Sequence, residues 1–143
     1  MTWGEIQKSS LEKMFAKDEP ISVEDIEELK EDDDCKWYLS AMPAVCNEAI
    51  ELIKPYVMNA YKYNEETKKY DKTTVKHISL DTPIDEEIEL TEDACVLIPL
   101  YIASQLYKDD DISQATAYRN EFEVGLQNLY FNVENQESIK EVY

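Results

Sequence analysis

Residues 90–129 read LTEDACVLIPLYIASQLYKDDDISQATAYRNEFEVGLQNL, and the fold class turns on them. Thr91 is placed to cap a helix whose first turn carries Glu92 and Asp93, acids that suit the positive end of a helix dipole. Val96, Leu97, Leu100, Tyr101, Ala103 and Leu106 then give a broad apolar face, so a helix is predicted over about 91–108, bent at Pro99. Asp109-Asp110-Asp111 interrupts it. Asp111, with Gln114 three residues on, forms a capping pair for a second helix over about 112–130. That helix carries Ala115, Tyr118, Phe122, Leu126 and Leu129 at spacings of three and four. With so short a link, the two helices are expected to be antiparallel neighbours.

The N-terminal side has the same character. Trp3, Ile6, Leu11, Met14 and Phe15 form a stripe opposite Lys8, Glu12 and Lys13, predicting a helix over about 2–17 that Asp18-Glu19-Pro20 ends. Ser22 opens a helical stretch over about 22–54, and Asp32, Asp33 and Asp34 lead into its longer part. Trp37, Leu39, Met42, Val45, Ile50 and Ile53 are its apolar members, and Pro43 is expected to kink or divide it. Residues 56–90 lose the helical period. Tyr61 with Tyr63, Thr73 with Val75 and His77, and Ile84 with Ile88 and Leu90 each share a parity, which reads as two or three short strands. Residues 64–66 and 81–83 are the expected turns. Residues 131–143 read as a loosely held polar tail. The expectation is one mainly α domain over 1–143: a small helical bundle with a short β-hairpin or strand excursion in the middle and an extended C-terminal tail.

A length of 143 residues with 43% apolar content suffices for one modest core. Only Gly4 and Gly125 are glycine, which argues against phosphate-cradling loops and against a turn-rich all-β barrel. Ten tyrosines suit surfaces that are buried on assembly, being apolar in body and polar at the tip. The net charge of −18 argues against ordinary nucleic-acid binding and against docking on anionic membrane, both of which need Lys and Arg. Acid is concentrated in residues 18–34 and 81–93, whereas six lysines against three acids fall in residues 54–77. Each run reads as a solvated face or as one side of a charge-matched contact between subunits. Cys35, Cys46 and Cys95, odd in number and without CxxC spacing, read as buried free thiols. The start MTWGEIQKSS has no secretory pattern, and the longest apolar run, ten residues with Pro99 inside, is half a membrane span. A protein made in the cytoplasm is expected.

Little here points to chemistry. His77 is the single histidine and reads as a surface or packing residue, because a nucleophile needs an oriented base and a third group behind it. Asp109, Asp111 and Ser113 fall at EF-hand positions one, three and five, but Gln114 stands where glycine is required and Asn120 where the bidentate Glu belongs. Zinc-binding patterns are missing, and 32 carboxylates make any chosen acid/base pair uninformative. Tyr101, Tyr107, Tyr118 and Phe122 read as core rather than a ligand pocket. No catalytic, metal or cofactor-binding residue is expected, and no enzyme.

Residues 98–101 (IPLY), 103–111 (ASQLYKDDD) and 115–123 (ATAYRNEFE) together resemble the C-terminal helical pair of head–tail connector, or neck adaptor, proteins of tailed bacteriophages. The specific likeness covers about 40 residues, and the N-terminal part is similar in general layout. The resemblance implies a structural virion protein of the neck: a subunit of a ring, twelve-fold as the expectation, seated under the portal protein and meeting a tail-side neck or stopper protein. DNA would pass through the ring without specific binding, past an acidic surface that repels phosphates. By position, Tyr130, Phe131, Val133, Ile139, Val142 and Tyr143 would contact the portal. Charge pairing between subunits would join Lys62, Lys68, Lys69, Lys72 and Lys76 to Asp32, Asp33 and Asp34. The alternative is an acidic regulatory or DNA-mimic protein that binds a basic host protein. It rests on the net charge and gives no account of the likeness.

Overall fold

A computed structural model describes residues 1–15, 21–57, 61–72 and 75–142, with the backbone alone for 61–64, 69–72 and 130–142. The chain is mainly helical. Its helices are α1 (Trp3–Met14), α2 (Ile26–Leu29, entered through a 3-10 turn Val23–Asp25), α3 (Lys36–Ile53), α4 (Glu92–Cys95), α5 (Ile98–Leu106) and α6 (Ile112–Val142). Two short strands, β1 (Tyr61–Asn64) and β2 (Lys69–Lys72), pair antiparallel with Tyr63 opposite Tyr70.

The first stretch quoted lies at the centre. α5 packs against α1, α3 and α6. Ile98, Tyr101, Ile102, Ala103 and Leu106 are all buried, as expected of a helix that is apolar nearly all round. Around it lie Trp3, Ile6 and Leu11 from α1, Leu39, Met42, Cys46 and Ile53 from α3, and Phe122 and Leu126 from α6. Gly125 lets α6 come close: a Cβ there would sit 2.3 Å from Leu97 Cδ2.

Proline acts differently from expectation at both positions. The helix foreseen over 91–108 is two, α4 and α5, parted at Val96 and Leu97. Pro99 sits in the first turn of α5, where its missing N–H has no intrahelical partner to lose. Thr91 occupies the N-cap of α4, but its hydroxyl makes no capping bond. In the stretch expected to break near Pro43, α3 runs through it unbroken. Leu39, Met42, Cys46, Ile50 and Ile53 on both sides of the proline share one buried face, and that packing outweighs one lost backbone bond. The interruption lies upstream, where Asp32 Oδ1 accepts the amides of Asp34 (2.9 Å) and Cys35 (3.2 Å) and turns the chain into α3.

Residues 75–90 contain no strand, contrary to the strand-like reading. One isolated bridge joins Glu87 to Thr2. The segment is a strap that closes the start of α1. Trp3 N–H donates to Glu86 O and Gly4 N–H to Ile84 O, each at 2.8 Å. The Glu5 amide donates to Thr2 Oγ1 at 3.2 Å, while Glu5 Oε1 accepts the Thr2 amide at 3.3 Å. The donors left open at the helix start are thereby satisfied. Apolar Ile78 and Ile88 in the strap are buried for contact with the body, not for a sheet face. At the other end, the expected extended tail is backbone-helical to Val142.

Candidate functional site

The three aspartates after α5 have separate roles. Asp111 Oδ1 accepts the Gln114 amide at 3.1 Å and caps α6, as the capping reading expects. Asp110 accepts the Tyr38 hydroxyl and so ties the start of α3 to the turn between α5 and α6. Asp109 is exposed. Burial, with Asp110 second, pushes the Tyr38 hydroxyl up to about 12. Tyr38 also meets Phe15 and Trp37 edge-on, with ring centroids 5.3 and 5.0 Å apart. Trp37 itself is 57% exposed.

A groove of about 570 Å³ runs between α3 and the start of the strap, with Asn47, Glu48, Leu52, Lys76, His77 and Tyr101 among its lining. Asn47 fixes the strap there by accepting the Ile78 amide (3.0 Å) and donating to the Ile78 carbonyl (2.8 Å). His77 is exposed, its Nε2 lying 3.4 Å from Asn47 Nδ2. Tyr101 donates to Glu48 Oε2 at 3.1 Å, and the Arg119 guanidinium lies 5.3 Å from the Tyr101 ring centroid and 5.8 Å from that of Phe122. Of the four aromatic residues considered as a pocket, Tyr101 and Phe122 are core, while Tyr107 and Tyr118 are half-buried.

The cysteines are buried and form no disulfide, and burial pushes the Cys46 thiol up to about 12. Among the described residues, no group of three His, Cys, Asp or Glu is arranged to hold a metal ion. Nor, among them, is any helix long and apolar enough to cross a membrane.

The candidate charge-pairing residues are dispersed by local duties. Asp32 is occupied by backbone amides. Asp33 pairs with Lys36 at 2.9 Å, both well exposed, an arrangement of small energetic weight. Asp34 and Lys68 are exposed, Lys68 in a left-handed turn conformation (φ 56°). Lys76 pairs within the chain with Glu86 at 2.9 Å. The side chains of Lys62, Lys69 and Lys72, and those of Tyr130, Phe131, Val133, Ile139 and Val142, lie outside the described residues, as does all of Tyr143.

Sequence reasoning passed over the apolar side chains left outside the core: Trp37, Leu80, Ile112 and Val124 are each more than half exposed. Val124 stands two residues from both Phe122 and Leu126, roughly 200° round the helix, so it faces away from the core side of α6. Trp37 bears the same relation to Leu39 on α3. For Trp37 and Val124 the helical period carries this signal, since each sits where a polar residue belongs. No protein-family model, curated protein or solved structure matches the chain.

Proposed function

We propose that this protein is a head–tail connector subunit, one member of a ring beneath a phage portal that continues the DNA channel towards the tail. A single observation carries the reading. Two helices packed on the same central α5 each turn a large apolar side chain outward, Trp37 from α3 and Val124 from α6. A closed ring needs two different faces meeting head to tail, and apolar anchors on separate helices suit such a contact. Among the residues that carry the resemblance, Ile98, Tyr101, Ala103, Leu106 and Phe122 lie in the helical core. The net charge of −18 is compatible with a conduit past which duplex DNA slides. It equally favours the second reading, an acidic mimic that binds a basic host protein.

The deciding experiment is capture of the tagged chain from cells producing the phage, with mass spectrometry and negative-stain imaging. Portal protein in near-stoichiometric amount together with ring-shaped particles is the expected result. A basic host protein with no capsid or tail component would overturn the connector reading and support the mimic.

A further inference from the structure

The groove beside α3 contains one carboxylate without an ionic partner. Asn47, Glu48, Glu51 and Leu52, which share one side of α3, form one wall, and Val75, Lys76 and His77 form the other. The other charges here are matched within the chain. Glu51 pairs with Lys54 at 2.8 Å, and Lys76 with Glu86 at 2.9 Å. Arg119, beside the Tyr101 ring, pairs through Nε with Glu123 at 3.0 Å. Both ends of the Asn47 amide are occupied by the Ile78 backbone. Glu48 differs. Its Oε2 accepts the Tyr101 hydroxyl at 3.1 Å, and among the described residues no cation pairs with it. The buried tyrosine thus holds this carboxylate at the groove with its second oxygen open. Ile50, Leu52 and Val75 make the lining around it apolar, and Leu52 is 41% exposed.

An apolar groove with one anchored carboxylate is complementary to an apolar ligand that carries one cation. A cation there gains a charge-assisted hydrogen bond with an acceptor already oriented by Tyr101. The net charge of −18 draws basic partners at long range. About 570 Å³ is room for a few residues of chain. Among the described residues, the peptide groups of Val75, Lys76 and His77 make no hydrogen bond, so they are open to a main chain laid beside them. We propose that this groove receives a short basic segment of a partner protein, with an Arg or Lys side chain of that segment on Glu48 and its apolar neighbours against Leu52 and Val75. The inference goes beyond the connector reading and does not depend on it.

The test titrates the full-length, isotopically labelled chain with a capped heptapeptide of Val and Thr bearing one central Arg, followed by amide chemical shifts. A matching peptide has citrulline, the uncharged isostere, in place of Arg. Shifts are expected at Asn47, Glu48, Leu52, Val75 and His77, and the citrulline peptide should bind about tenfold more weakly. Glu48→Gln keeps an acceptor for the Tyr101 hydroxyl and so leaves the packing intact. It should lower binding of the Arg peptide to the citrulline level and leave the citrulline peptide unchanged. Leu52→Ser should weaken both peptides. Shifts that map elsewhere, equal binding of the two peptides, or Arg-peptide binding unaffected by Glu48→Gln would overturn the proposal. So would the lack of any shift at millimolar peptide, the result expected if the chain itself fills the groove. Capped free arginine binding as tightly as the peptide would overturn the protein partner in favour of a small cationic ligand. Each of these outcomes leaves capture of portal protein as a separate question, so the two readings fail independently.

Discussion

Gly4 donates its amide to the Ile84 carbonyl at 2.8 Å, and the two backbones are so close that no side chain fits between them. A Cβ at Gly4 would lie 2.9 Å from Ile84 O, 3.0 Å from Ile84 Cβ and 2.7 Å from Val23 Cγ1. Gly4→Ala should therefore destabilise by about 1–3 kcal/mol, the usual range for overpacking. At Gly125 the obstruction is the end of the Leu97 side chain, which can rotate, and alanine gains about 1 kcal/mol of helix propensity. Urea midpoints should fall clearly for Gly4→Ala and much less for Gly125→Ala. Equal losses would show that the strap yields as readily as a leucine.

Gln7 faces the core side of α1, is 3% exposed, and among the described residues its Oε1 has no hydrogen-bond partner. A buried carbonyl without a donor costs about 1–3 kcal/mol. Gln7→Met keeps the volume and removes the polar atom, so it should raise stability by about 1 kcal/mol, or a few degrees in Tm. A drop in the melting temperature would mean that the amide has a structural duty.

The aspartates after α5 should separate by mutation. Asp111→Ala removes a helix cap and should cost about 1 kcal/mol. Asp109→Ala, at an exposed position, should stay within about 0.5 kcal/mol. Chemical denaturation of both variants checks this, and an equal effect would deny Asp111 its capping role.

Stability should fall in alkali. The Cys46 thiol rises from 9 to about 12 through burial, with Cys95 a minor cause, and the Tyr38 hydroxyl from 10 to about 12 through burial and Asp110. For both groups the folded state holds the proton more tightly. Their stabilising effect is complete below about pH 9 and declines from there towards 12, because the unfolded chain then binds fewer protons. Unfolding followed from pH 8 to 11 should show this decline, and Cys46→Ala should flatten it. In the same experiments the three thiols should resist a thiol reagent at pH 8 until denaturant is added.

The legible parts of the fold were those whose partners lie nearby in sequence. Ala115, Phe122, Leu126 and Leu129 mark the buried face of α6, and Asp111 its start, because both follow from local period and capping chemistry. Ile84, Ile88 and Leu90 suggested a strand since their parity is real, yet their segment bonds to residues 1–4, a pairing that no local pattern records. Pro43 misled because its break rule ignores the buried side chains around it. The site was less legible than the fold. Asp32 and Asp33 looked available as a charge run, but only coordinates show one capping backbone and the other held by Lys36. The sequence lists Trp37 with the apolar members of its helix, and its position relative to Leu39 puts it outside the core.

The closure of α1 by the strap also sets an order of events during synthesis. Gly4 emerges 80 residues before Ile84, and the α5 surface that covers Trp3, Ile6 and Leu11 emerges later still. Until then the earliest helix has neither its terminal acceptors nor its apolar bed. Contacts so distant along the chain are slow to form. The helix at Trp3–Met14 is thus made well before the segments that secure it, and a chain halted before residue 98 leaves that helix still open.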